Sequence, residues 1–131
     1  VNGVRDLSVD PQTSTTIYAA TTNGVFKSVN AGETWSECNN GLTNRNVWTI
    51  AIDPQSPERI YAGTFDGFFK SDNGGETWSG SNNGLASTNV RTLAINPQDP
   101  TTLFAGTNGN GIYKGRLINF EYELFLPVTL R

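Results

Sequence analysis

Three residues that could together hold a ligand occupy matching places in the chain. Arg5, Trp48 and Arg91 are separated by intervals of 43 residues. An indole offers a flat apolar face, and a guanidinium offers a fork of donors that fits a carboxylate. This combination is typical of sites that hold sugars, acidic groups or exposed peptide segments. The alternative is that Trp48 packs between structural units while the arginines are solvated.

Three more residues complete the candidate ligand site, because the connections that carry them should lie at the same edge of the protein. They are Arg45, Phe65 and Asp66. A glycoside hydrolase would also need two carboxylates separated by roughly 5 to 9.5 Å. Asp6 and Asp66 are the only carboxylates at this edge that do not recur between repeats. We therefore predict no catalytic residues and keep a hydrolase or lectin as the alternative.

Composition excludes several classes of function. The 131 residues carry a net charge of −3, with 9 basic and 12 acidic residues that form no run, so we expect no nucleic-acid partner. The apolar stretches are far shorter than the roughly 20 residues that span a membrane. There is no histidine and one cysteine, Cys38, which excludes an internal disulfide and a cysteine-rich zinc site. We interpret Cys38 as a small packed residue, with a link between two chains as the alternative.

The sequence also offers no cofactor or metal site. It contains no glycine-rich phosphate loop and no nucleophile elbow. Asp66, Asp72 and Asn73 are hard oxygen ligands, but they lack the regular spacing of a calcium loop. We therefore predict neither a cofactor nor a metal ion.

The chain is a tandem repeat of 43 residues. Residues 4–46 and 47–89 are identical at 23 of 43 aligned positions, spread over the whole unit, so the repeat is structural. A third unit, 90–131, diverges near its end. We treat the chain as one domain, 1–131, made of these three units.

Each unit is predicted to contain four short strands. In the second unit, these are Val47 to Ile52, Arg59 to Thr64, Phe68 to Lys70 and about Thr77 to Ser81. No segment has the apolar period of a helix. In the third unit, the alternation of Phe120, Tyr122, Leu124 and Leu126 favours one last strand. Four antiparallel strands in a unit of this length are typical of a β-propeller blade.

Two turns resemble a known sequence motif, the Asp box with the pattern Ser-x-Asp-x-Gly-x-Thr-Trp. The matching residues are Ser28, Gly32, Thr34 and Trp35 in the first turn and Ser71, Gly75, Thr77 and Trp78 in the second. Asn30 and Asn73 replace the central aspartate. The chain thus resembles the Asp-box propellers of sialidase, sortilin, xyloglucanase and photosystem-assembly-factor type. In that family the box is a structural hairpin, so the resemblance implies a fold and not a reaction.

The resemblance and the repeat together predict an all-β fold of three blades. Propellers typically need 4 to 8 blades to close, so three should leave an apolar face uncovered at each end. We expect closure by oligomerisation, with a homodimer giving six blades, or by further blades of a longer chain. The function expected is a non-catalytic binding or assembly scaffold for a protein or glycan, with a purely structural subunit of a ring or filament as a further alternative.

The chain's two ends bear on its location. It begins at Val1 without methionine, as either a processed product or a piece of a longer protein. Its last residues, 125–131, resemble short C-terminal tails of some secreted bacterial proteins. That resemblance implies an extracellular or cell-surface location.

Overall fold

The computed structural model describes residues 3–81, 84–85, 88–118 and 121–129. All twelve elements in this part of the chain are β-strands. They form three four-stranded antiparallel sheets, each made of strands that are consecutive in sequence. The sheets do not close into a ring.

The bounds of the strands follow the repeat. The first sheet contains β1 (Val4–Val9), β2 (Ile17–Thr21), β3 (Gly24–Ser28) and β4 (Ser36–Glu37). The second contains β5 (Val47–Ile52), β6 (Ile60–Thr64), β7 (Gly67–Ser71) and β8 (Ser79–Ser81). The third contains β9 (Val90–Ile95), β10 (Thr102–Thr107), β11 (Ile112–Ile118) and β12 (Glu121–Val128).

The second sheet is buried on both faces. One face joins a core with the first sheet that includes Tyr18, Val25 and Ile50. The other joins a core with the third sheet that includes Tyr61, Phe68 and Leu103. Since neighbouring sheets cover each other's apolar faces, burial of this area supplies most of the favourable free energy of folding.

The two motif turns, residues 28–35 and 71–78, form the same hydrogen-bonded hairpin. In the first, Asn30 Oδ1 accepts the Thr34 N–H at 2.9 Å, and Ser28 Oγ accepts the Gly32 N–H at 2.8 Å. The second repeats both bonds between the corresponding residues, at 2.9 Å each. The Asn30 amide also donates to Thr34 Oγ1 at 2.8 Å. Asparagine therefore performs the backbone-bonding role of the aspartate and adds a donor.

The first hairpin carries a strained residue, Ala31, directly after Asn30. Ala31 has a φ of +61°, while its counterpart in the second hairpin is Gly74, with a φ of +68°. The left-handed region costs a residue with a Cβ about 1 to 2 kcal/mol. We expect Ala31→Gly to raise the free energy of unfolding by up to about 1 kcal/mol, because the relief of strain exceeds the added chain entropy of glycine.

Urea unfolding measures this change, and the reverse substitution supplies the control. A Cβ on Gly74 would lie 3.3 Å from Lys27 Nζ and 3.4 Å from Tyr18 Oη, in a strained conformation. Gly74→Ala should therefore lower the free energy of unfolding. A loss of stability in both variants would contradict this explanation.

In the third sheet, whose sequence lacks the motif turn, Phe125 takes the place that Trp78 holds in the second. Phe125 pairs with Gly115 in the third sheet. Gly115 corresponds to Ser71 in the second sheet, and the pairing of Lys70 with Ser79 places Trp78 opposite Ser71. A Cβ on Gly84 would lie 2.3 Å from the carbonyl oxygen of Phe125, and a Cβ on Gly41 would lie 2.2 Å from the carbonyl oxygen of Trp78. Equivalent glycines thus approach the two aromatic residues in the same way. The ring of Phe125 is buried, while Leu126 is exposed.

Candidate functional site

The three residues at 43-residue spacing are each the extra residue of a β-bulge. The pairing of β1 with β2 shifts register between Val4 and Asp6, so that Arg5 is left unpaired. The same shift falls at Trp48 in β5 and at Arg91 in β9. A bulge redirects a side chain and increases the local twist. All three side chains thus leave the ladder at the same end of the sheets, here called the rim, where the turns after β2, β6 and β10 also lie.

At the rim the three side chains form one stack. The guanidinium carbon of Arg5 lies 3.6 Å from the centre of the Trp48 ring, and that of Arg91 lies 3.9 Å from it. One face cannot hold two planar groups at these distances, so the guanidinium groups cover opposite faces of the indole. Each contact contributes about 0.5 to 2 kcal/mol, depending on its desolvation. The stack joins three sheets and fixes two positive charges, but it leaves Trp48 no open face for a ligand.

Two asparagines that the sequence analysis did not single out orient the arginines. Arg5 Nη1 donates to the side-chain oxygen of Asn46 and to the carbonyl oxygen of Val47. Arg91 Nε donates to Asn89 Oδ1 at 3.3 Å. Asn46 and Asn89 occupy the same position in successive repeats, directly before the first strand. This recurrence in the sequence indicates a structural role for the two asparagines, but it does not show which arginine each asparagine binds.

The same positions tie the neighbouring turns to the rim. The carbonyl oxygen of Asn46 accepts the N–H of Phe65 at 2.9 Å, and that of Asn89 accepts the N–H of Asn108 at 2.9 Å. The side chain of Phe65 is exposed, as is that of Asp66 beside it. Phe65 is thus an exposed aromatic side chain in a turn that is attached to the stack.

Arg45 is placed apart from the stack. Its side chain is exposed and lines a groove of about 410 Å³ together with Lys27, Glu37 and Glu76. Its carbonyl oxygen accepts the N–H of Gly24 at 2.6 Å, which connects the turn after β2 to the segment before β5. Of the six candidate residues, three meet in the stack, Phe65 and Asp66 flank it, and Arg45 lines this groove.

Asp6 holds two sheets together. Its Oδ2 accepts a hydrogen bond from Thr49 Oγ1 and another from the backbone N–H of Ile50, both at 3.0 Å. Its Oδ1 accepts the N–H of Leu7 at 2.9 Å. A carboxylate that accepts three bonds of this kind has a structural role between β1 and β5.

Other side chains with reactive or ligating groups are also hydrogen-bonded, ion-paired or buried. Tyr18 Oη donates to the Gly74 carbonyl oxygen at 3.1 Å, and burial raises the pKa of Tyr18 to about 12. Burial likewise raises the pKa of the Cys38 thiol to about 11, so the thiol stays protonated at neutral pH. Asp72 pairs with Arg59 at 3.5 Å and with Lys70 at 3.9 Å. Within the described ranges, no three His, Cys, Asp or Glu residues lie close enough to hold a metal ion.

Known structures match the arrangement of the sheets. An ancestral GH74 enzyme superposes with a TM-score of 0.78 at 23% identity, over 86% of this chain and 16% of that one. The extracellular domain of a one-component system from B. thetaiotaomicron gives 0.69 at 18%, over 87% and 15%. YCF48 from Cyanidioschyzon merolae gives 0.66 at 15%, over 92% and 39%. No family model and no curated protein matches the chain.

These likenesses define the class of fold. The three sheets are three blades of an incomplete β-propeller, as the sequence predicted. The chain spans well under half the length of each of these structures, so their activities do not transfer with the fold. In the part of the chain that the structure describes, no helix has the length and hydropathy needed to cross a membrane.

Proposed function

We propose that this chain is a non-catalytic binding module of the Asp-box propeller type, whose rim binds a protein or glycan that carries carboxylate groups. The paired hairpins with identical hydrogen bonds support the Asp-box assignment. The extracellular domains among the similar structures support a location outside the cell.

One observation carries the choice of an acidic ligand. The stack holds the guanidinium groups of Arg5 and Arg91 on the two faces of Trp48, in a chain whose net charge is −3. Because the two arginine side chains are already held in place, they lose little conformational entropy when a ligand binds. Arg91 is exposed and bound to Asn89 through Nε, which leaves the Nη end of its fork for a carboxylate. Phe65 adds an exposed apolar side chain on a turn whose backbone is bonded to Asn46, the residue that binds Arg5.

The alternative function is a carbohydrate-active enzyme, and the likeness to a GH74 enzyme supports it. Its chemistry would require a second carboxylate opposite Asp66, since Asp6 is bonded to Thr49 and Ile50. The binding proposal needs no such pair and uses side chains that the structure brings together.

The test is calorimetric titration with an oligogalacturonate, a glutamate-rich peptide and a neutral xyloglucan oligosaccharide. We expect one of the acidic probes to bind and Arg91→Gln to weaken its binding by about tenfold or more, because a charge-assisted hydrogen bond contributes about 1.5 to 3 kcal/mol. Arg116→Gln is the matched control, since Arg116 is exposed on β11 and pairs with Thr102, at the end of the sheet opposite the rim.

The outcomes separate the two functions. Equal losses in both variants would mean that any positive charge suffices and would overturn the assignment of the rim. Cleavage of the neutral oligosaccharide by the unaltered chain would instead favour the enzyme.

A further inference from the structure

The first blade exposes an apolar face, here called the head face. It consists of Val4, Leu7 and Val9 on β1, all exposed. These residues pair with Thr21, Ala19 and Ile17 of β2, so they share one side of the sheet. A row of three branched aliphatic residues on an open sheet is unfavourable in water and marks a surface that is covered in use.

The repeat shows what this face does when it is covered. The counterparts of Val4 and Leu7 in the second blade are Val47 and Ile50, which pack against the first blade. Leu7 is 58% exposed and Ile50 is 3% exposed, although the two occupy equivalent positions. The head face is therefore one half of a blade-to-blade contact that this same chain already forms internally.

The third blade exposes the other half of that contact, here called the tail face. It consists of Phe104 on β10 with Leu126 and Val128 on β12, all exposed. Phe104 corresponds to Tyr61 of the second blade. Phe104 is 37% exposed, whereas Tyr61 is 0% exposed. Lys114 lies over the Phe104 ring at 5.9 Å, as Lys27 lies over Tyr18 at 5.3 Å in the first blade. The tail face thus keeps the aromatic and lysine pair that receives the next blade.

We infer that the head face of one chain packs on the tail face of a second copy, and that two copies close into one ring. A two-fold axis then generates two identical head-to-tail junctions, and two sets of three blades give a six-bladed propeller within the usual range of 4 to 8. The second copy is the occupant because each chain carries both complementary faces.

The polar bonds of the internal contact also have counterparts at the junction. Lys27 Nζ donates to the Gly74 carbonyl oxygen at 3.0 Å, and Gln12 Nε2 donates to that of Pro54 at 3.0 Å. The corresponding donors on the third blade are Lys114 and Gln98, and the corresponding acceptors on a second copy are Ala31 and Pro11. The junction therefore matches the internal contact in hydrogen bonds as well as in apolar area.

The test is the solution mass of the 131-residue chain, by light scattering on a sizing column under reducing conditions. We expect a dimer of the unaltered chain. Leu7→Lys on the head face and Phe104→Glu on the tail face should each give a folded monomer, because every junction then contains a charge. Ser79→Lys, at an exposed residue in the last strand of the middle blade, which takes part in no junction, is the control and should remain a dimer.

Mixing the two monomeric variants distinguishes head-to-tail closure from other contacts. A mixed pair has one junction with neither substitution, because each variant keeps the face that the other has lost, and its second junction joins opposite charges. We expect the mixture to recover the mass of a dimer. Circular dichroism of each variant shows that the loss of mass is not a loss of fold.

Three results would overturn the inference. A folded monomer of the unaltered chain would mean that the faces do not recognise each other. A mass that grows with concentration past that of a dimer would mean that the contact does not close at two copies and that other blades cover these faces. A mixture that remains monomeric would exclude the head-to-tail arrangement.

Discussion

Replacing Trp78 with alanine is expected to lower the free energy of unfolding by about 3 to 5 kcal/mol, the usual cost of removing a buried tryptophan. The indole is buried in the core between the first two blades, and its Nε1 donates to the Cys38 carbonyl oxygen at 2.8 Å. The substitution removes an aromatic ring and leaves that carbonyl without this donor. Urea unfolding followed by circular dichroism measures the loss.

Trp35 provides the matched control because it occupies the same position in the first hairpin. Its Nε1 donates within its own hairpin, to Gly32 at 3.0 Å, and its side chain is only half-buried. Trp35→Ala should therefore cost clearly less than Trp78→Ala. Both are best compared in the Leu7→Lys background, in which no second copy covers the first blade. Equal costs there would show that the hairpin itself, and not the contact between blades, supplies the stability.

Phe125→Ala is expected to have an effect of similar size, about 3 to 5 kcal/mol, on the third blade. The ring of Phe125 lies edge to face with Phe68, with centroids 5.1 Å apart, and Phe68 stacks on Tyr61 at 5.6 Å. Gly115 leaves the room for this ring, since a Cβ there would lie 2.4 Å from it. Thermal unfolding of the variant should show a lower midpoint.

The neighbouring residue tests whether the core contact is the cause. Phe125→Ala and Leu126→Ala are compared in the Leu7→Lys background, in which no second copy covers the tail face. Leu126 lies on the same strand but is exposed there, so Leu126→Ala should change the free energy of unfolding by less than about 1 kcal/mol. If Leu126→Ala were as costly as Phe125→Ala, strand pairing and not packing of the ring would hold β12 in place.

The proposed ligand site and the proposed junction use different parts of the molecule. The stack lies at the rim, where β1, β5 and β9 begin, while the head and tail faces lie on the broad sides of the first and third blades. Closing the ring would bring a second stack to the same rim. A ligand with two acidic groups would then bind both stacks with a higher overall affinity, because binding of the first group raises the effective concentration of the second group at the other stack.

The sequence by itself determined the number of blades and the order of their strands. The 43-residue repeat and its turns are local signals, because a hairpin is fixed by the residues that form it. The serine, asparagine and glycine of each motif turn bond to backbone groups a few residues away, so their geometry follows from their spacing. The observed strand ends differ slightly from the predicted ones. The fourth strand of the second blade begins at Ser79 and not at Thr77, because Thr77 belongs to the hairpin.

The tertiary structure decided what the side chains do once the blades meet. The spacing of Arg5, Trp48 and Arg91 predicted a shared edge, but only the packing of three bulges shows that the arginines cover both faces of the indole. The sequence left Asp6 as a candidate carboxylate for chemistry, whereas in the structure Thr49 and Ile50 of the next blade donate hydrogen bonds to it. Phe125 could not be recognised as the replacement for a motif tryptophan, because the match depends on the register of β12 against β11. These contacts join residues more than 40 positions apart or depend on strand pairing, so their geometry depends on how the sheets pack and not on any local pattern.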